Sequence, residues 1–138
     1  FAILDMLGRI ANKSIGELIG EIHNSKIAVY QANGDRGISP EKTIGNIRKQ
    51  LEESNAKAIK FKVGGRMSNN YESPQGRTEK LIPLIRKTFG DEMTIYADSN
   101  GSYTVDEAIR IGKILEEYKI DFYEEPVPFD WYEETKLA

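Results

Sequence analysis

The sequence predicts an α/β fold in which parallel strands alternate with helices, and two observations carry that prediction. Three segments read as strands whose last residues are ionisable: Ala58-Ile-Lys60-Phe-Lys62, Ile95-Tyr-Ala-Asp98-Ser-Asn100 and Asp121-Phe-Tyr-Glu124-Glu125-Pro126. Helical stretches separate them at intervals of roughly 30 to 40 residues, the period of a strand-helix unit. Charged carboxyl-terminal ends of parallel strands are where an α/β barrel assembles an active site. The repeats point to such a site without deciding whether the sheet closes.

Each element follows from a local pattern. Ile3, Leu4, Leu7 and Ile10 recur at helical spacing and predict a helix over residues 1–11. A turn-rich connection through Ser14-Ile-Gly16 and Ile19-Gly20 leads to a first strand near residues 26–31. Ser39 followed by Pro40 is a helix start, with Ile44, Ile47 and Leu51 as its apolar stripe. The second strand spans residues 57–63, and the long loop from Gly64 to Gly76 after it is of the kind that borders ligand sites. Leu81, Ile82, Ile85 and Phe89 mark a helix that stops at Gly90, with Pro83 requiring either a nearby start or a kink. After the third strand, Thr104-Val-Asp-Glu107 reads as a capping box for a helix burying Ala108, Ile109, Gly112 and Leu115. The fourth strand ends at Glu124, and a last helix begins near Asp130, with Phe129 and Trp131 expected to pack against it.

Composition sets the class of chemistry. In 138 residues, 39% are hydrophobic and 30% charged, the balance of a globular chain, and a net charge of -3 supplies no basic footprint for nucleic acid. No apolar run approaches the ~20 residues of a membrane span, nor does the amino terminus resemble a secretory signal, so a cytoplasmic setting with no membrane partner is the expectation. With no cysteine and one histidine, a metal would be held mainly by oxygen, which favours magnesium, or manganese as the alternative. Phe1 opens inside a helical pattern and the last helix starts just before Ala138, so the sequence reads as part of a longer protein.

Strand alternation sorts the candidate site residues. Ile59, Phe61 and Val63 form one apolar face, which turns Lys60 and Lys62 to the other. Ile95 and Ala97 do the same for Thr94, Tyr96 and Asp98, and Phe122 with Glu124 shares a face opposite Tyr123 and Glu125. Lys60, Lys62, Asp98 and Glu124 are therefore expected to converge. Two lysines two residues apart, with Cα atoms about 6.5 to 7 Å apart, each disfavour the other's protonation, which makes one a usable general base. Asp98 and Glu124 are hard oxygen donors suited to one divalent cation, and Asn100 is one alternation further on. A cation beside a base is an arrangement for removing a proton α to a carboxylate.

These residues resemble the mandelate racemase and muconate lactonizing branch of the enolase superfamily. The likeness is carried by Lys60-Phe-Lys62, Ala97-Asp98-Ser-Asn100-Gly101 and Phe122-Tyr-Glu124-Glu125-Pro126 in that order, with Ala2-Ile-Leu-Asp5-Met-Leu-Gly8-Arg9 resembling the helix before the barrel. It implies the first half of a TIM-like (β/α)7β barrel, with residues 1–25 as helical lead-in and 26–138 as barrel; the amino-terminal cap, a third metal ligand and a second acid or base would lie outside this sequence. It implies Asp98 and Glu124 as Mg2+ ligands, Lys62 as base, Lys60 as its electrostatic helper and Asn100 as a substrate contact. The implied activity is lyase chemistry, dehydration of a sugar acid, with a racemase, epimerase or cycloisomerase as the alternative, in a homo-oligomer that binds a small carboxylate.

A different class stays open at this point: a non-catalytic α/β module whose acidic strand ends bind a regulatory cation. That would require an open sheet complete within these residues. His23, before the first strand, is expected at the surface; Arg66, Met67 and Tyr71 in the long loop are either substrate contacts or plain exposed residues, and Arg77 is expected to be structural.

Overall fold

The computed structural model describes all 138 residues, Phe1–Ala138. Helices α1 (Ala2–Ala11) and α2 (Ile15–Ile19) come first. The second of these replaces the expected irregular connection. Ser14 Oγ accepts from the Glu17 backbone N–H at 3.2 Å while Glu17 Oε2 accepts from the Ser14 backbone N–H at 2.7 Å, a reciprocal capping box legible in Ser-Ile-Gly-Glu.

Four parallel strands follow in sheet order β1-β2-β3-β4. They are β1 (Gln31–Ala32), β2 (Ala58–Lys62), β3 (Thr94–Asp98) and β4 (Phe122–Glu124). The first is far shorter than residues 26–31 suggested, and later. Only Gln31 and Ala32 pair with β2, opposite Ile59 and Lys60; Ile27 and Val29 are 80% and 70% exposed despite their strand-like alternation.

Helices α3 (Pro40–Ser54), α4 (Arg77–Phe89) and α5 (Val105–Glu117) connect successive strands, and α6 (Tyr132–Leu137) closes the chain. Ser39 caps α3 by accepting from the Lys42 N–H at 3.3 Å, with Pro40 at the first helical position. Pro83 lies inside α4, which begins at Arg77. The expected box at the start of α5 does not form. Thr104 Oγ1 accepts instead from Asn70 Nδ2 at 3.1 Å, and the Glu107 carboxylate pairs with Arg110 at 2.7 Å. The buried stripe of α5 is Ala108, Ile111 and Leu115; Ile109 is half-buried, so its neighbour two residues on takes the core position. Phe129 and Trp131 stay 64% and 43% exposed, because α6 is short and buries nothing.

The core lies between one face of the sheet and these helices. Ile59, Phe61, Val63, Ile95 and Ala97 are fully buried against Ile44, Ile47, Leu81, Ile82, Ile85 and Ile111. Each such side chain removed from water contributes about 1.5–3 kcal/mol. Because strand side chains alternate, this packing sends the charged residues of β2, β3 and β4 to the opposite face.

Candidate active site

Backbone hydrogen bonds continue past the strand ends and knit the loops into one rim. The Val63 N–H reaches the Asp98 carbonyl at 3.0 Å, Ser99 reaches Glu124 at 3.1 Å, Gly101 reaches Glu125 at 2.8 Å, and Tyr103 reaches Pro126 at 3.2 Å. Asn100 and Glu125 both adopt left-handed backbone, at φ 46°, which few residues other than glycine accept. Their side chains meet, Asn100 Nδ2 donating to Glu125 Oε2 at 3.0 Å. Strained turns fixed in this way hold side chains at strand ends to one geometry.

Lys60, Lys62, Asp98, Asn100 and Glu124 come together on this rim. Register places Lys62 beside Asp98 and Asp98 beside Glu124 on neighbouring strands. Lys60 Nζ lies 2.7 Å from Glu124 Oε2 and 3.6 Å from Asp98 Oδ2. Lys62 Nζ makes a short contact with the same Asp98 oxygen and donates to Asn100 Oδ1 at 3.0 Å. Asp98 is 1% exposed, Lys60 12%, Lys62 18% and Glu124 33%, so the cluster opens to solvent from the β4 side.

Electrostatics correct one expectation. Burial pulls the Lys60 ammonium down, but its hydrogen bonds to Glu124 and Tyr30 and the charges of Glu124 and Asp98 outweigh it and hold the group above the ordinary lysine range. Lys60 is thus a fixed cation here, where mutual repulsion between the lysines alone suggested a lowered pKa: each lysine faces a carboxylate across the strand pairing. Tyr30 also lies under Lys60, its ring centroid 5.0 Å from Nζ, and stacks edge-on against Tyr96.

Asp98 and Glu124 suit magnesium as a pair of hard oxygen donors on adjacent strands. Mg2+ is commonly held by one or two carboxylates with further oxygens from substrate and water. The structure gathers no set of three acidic, histidine or cysteine side chains. These two would therefore form part of a ligand set, and Lys60 and Lys62 now occupy the oxygens a cation would use.

Three contributors to the rim escaped the sequence reading. Arg36 donates through Nη2 to Asn100 Oδ1 at 2.8 Å. Tyr30 flanks Lys60. Glu125 fixes the Asn100 amide. No local pattern singled out any of the three as part of the site. Arg77, expected to be structural, is 2% exposed and donates only to atoms of the chain itself. His23, Arg66, Met67 and Tyr71 are exposed.

A profile of the enolase C-terminal domain-like family matches residues 43–137, which includes all five clustered side chains. The chain belongs to that family. Among curated relatives, the arabinonate dehydratase of Saccharolobus solfataricus is 31% identical across 94% of this chain and 33% of its own length. The D-galactarolactone cycloisomerase of Agrobacterium fabrum is 26% identical across 91% of this chain and 32% of its own. The solved structure of a Bradyrhizobium enolase, complexed with magnesium and mandelic acid, superposes with a TM-score of 0.78 at 27% identity, covering 99% of this chain and 35% of that one. The chain spans about a third of the length of these enolase-superfamily proteins, and its four-stranded parallel sheet is the corresponding part of their TIM-type barrel. Its relatives include dehydratases and a cycloisomerase. No helix is long and apolar enough to cross a membrane.

Proposed function

We propose that the protein carrying this chain is a magnesium-dependent cytoplasmic enzyme that abstracts the proton α to a substrate carboxylate, with dehydration of a sugar acid as the net reaction. The observation that carries the reading is the pairing of two lysines on β2 with two carboxylates on β3 and β4, all at the carboxyl-terminal rim. Asp98 and Glu124 would hold Mg2+, which when bound supplies positive charge to the substrate carboxylate.

Lys62 takes the α-proton at Nζ. The electron pair of the broken C–H bond moves into the carboxylate as an enediolate and then expels the β-hydroxyl, which takes up the proton that Lys62 accepted and leaves as water, so that Lys62 returns to the free amine. Lys60, two residues earlier on the same face of β2, keeps a positive charge beside the developing negative one. Asn100, whose Oδ1 accepts from Lys62 and from Arg36, orients the Lys62 amine and meets the substrate. Similarity to an arabinonate dehydratase supports dehydration over the alternatives. Similarity to a cycloisomerase supports a second reading, isomerisation through the same proton abstraction.

The test is α-proton exchange in deuterated buffer, run on the full-length protein with a panel of sugar acids and Mg2+. Wild type exchanges the proton and releases a keto-deoxy acid, whereas Lys62→Ala loses both by about 10²- to 10⁴-fold. Undiminished exchange in Lys62→Ala would defeat the assignment of the base. Exchange with formation of an isomer and no water loss would select the second reading.

A further inference from the structure

We propose that Arg36 receives a second carboxylate on the substrate, at the end away from the carbon that loses its proton. This rests on the acid-sugar reading above and narrows it to diacids. Arg36 is half-buried in the loop between β1 and α3. Its Nη2 donates to Asn100 Oδ1 at 2.8 Å, the oxygen that Lys62 Nζ reaches at 3.0 Å, so the guanidinium stands one amide away from the proposed base.

That amide is the one acceptor the chain provides. Arg36 Nε is buried without a partner. Burial, followed by the attraction of Asp98 and the repulsion of Arg66, governs the group and leaves its pKa lowered. Neither nearby carboxylate neutralises it by contact: Asp98 is engaged by Lys60 and Lys62, and Asp35 Oδ2 accepts from Asn33 at 3.0 Å and Asn46 at 2.8 Å. A guanidinium partly withdrawn from water with a buried N–H unpartnered is costly unless an anion completes it. Its planar fork matches a carboxylate through two parallel N–H donors. A monoacid bound by its reacting carboxylate leaves this cation unmet, and a diacid satisfies it.

The experiment compares wild type, Arg36→Met and Arg36→Lys in the full-length protein. Steady-state assays use matched six-carbon sugar acids carrying one carboxylate, two carboxylates, or one carboxylate and a terminal phosphate. Calorimetry uses meso-tartrate and glycerate as probes, whether or not turnover is found. The expected result is preference for the diacid, a loss of about 10- to 100-fold in kcat/KM for it in Arg36→Met, partial recovery in Arg36→Lys and a loss for the monoacid about tenfold smaller than for the diacid. Tartrate affinity falls in parallel and glycerate affinity does not. Equal losses for monoacid and diacid would overturn the proposal and leave Arg36 as a support for Asn100, while preference for the phosphorylated acid would overturn its choice of anion. If no acid turns over but tartrate binding depends on Arg36, the catalytic reading fails and the second-anion site stands. If tartrate binding ignores Arg36, the site fails whatever the activity.

Discussion

Arg77 Nη1 donates to the backbone carbonyl of Lys62 at 2.9 Å, which ties the end of β2 to a side chain that never reaches the site face. The same guanidinium donates to the carbonyls of Ile38 and Asp35 at 2.9 Å each and to Thr43 Oγ1 at 3.0 Å. One buried residue therefore joins the loop that carries Arg36 to the strand that carries Lys62. Burial pulls its pKa down, and its neighbouring acids pull the other way.

Replacing Arg77 by Ala strands several buried acceptors at once. The expected cost is about 3 to 5 kcal/mol, read as a lower urea midpoint. Arg77→Lys restores the charge without the fork and recovers only part of the loss. A midpoint unchanged in both variants would show that water replaces these bonds at no cost.

Removing a proposed metal ligand should separate binding from folding. Glu124 is a third exposed and its partner Lys60 keeps Asp98 at 3.6 Å, so Glu124→Gln should lower the thermal midpoint less than loss of Asp98 does while weakening Mg2+ binding by about tenfold or more. Asp98 is buried against two ammonium groups, so Asp98→Asn should lose Mg2+ binding and also about 3 kcal/mol of stability. Calorimetric Mg2+ titration beside a denaturation curve checks both. Wild-type Mg2+ affinity in both variants would remove these residues from the ligand set.

How much of this could be read without coordinates depends on the range of the interactions. Lys60, Lys62, Asp98 and Glu124 were legible because strand alternation is a period of two set by neighbouring apolar residues. The box at Thr104 misled because Asn70, thirty-four residues earlier, competes for its hydroxyl. The first strand misled because β-branched residues such as Ile27 and Val29 alternate correctly yet have no strand to pair with. Arg36 was silent because its meaning comes from Asn100, sixty-four residues away. Local patterns carried the strand faces, and contacts between loops set the rest of the rim.

Alkaline pH should destabilise the fold through two buried phenols. Burial pushes Tyr103 and Tyr123 well above the ordinary tyrosine range. Folded chains then keep these protons while unfolded chains lose them, so the stabilisation is complete below the unfolded pKa of about 10 and declines as pH rises past it. The Tyr123 hydroxyl has no partner, so Tyr123→Phe should be neutral or stabilising near pH 7 and should flatten the alkaline decline. Urea denaturation at a series of pH values checks this, and an unchanged slope in Tyr123→Phe would exclude that residue as a source.

Gly64, the first residue of the loop after Val63, is a position where a single methyl group should do damage on two counts. Its φ of +60° lies in the left-handed region, and an added Cβ would stand 2.8 Å from both Ser102 Cβ and Tyr103 Oη. Neither neighbour can easily retreat, because Ser102 and Tyr103 are both buried on the loop that is zipped to Pro126. Gly64 also donates its N–H to Thr78 Oγ1 at 2.9 Å, so a shift of its backbone would pull on the start of α4, where Arg77 is held. Gly64→Ala is therefore expected to cost about 2 to 3 kcal/mol from backbone strain and overpacking together. Because the displacement runs through Arg77 to the carbonyl of Lys62, proton exchange at the proposed site should fall further than stability alone explains. Exchange rates measured well below the melting temperature, where the variant is fully folded, separate the two effects: a wild-type rate there would confine the damage to stability and break the proposed mechanical link between the loop and Lys62.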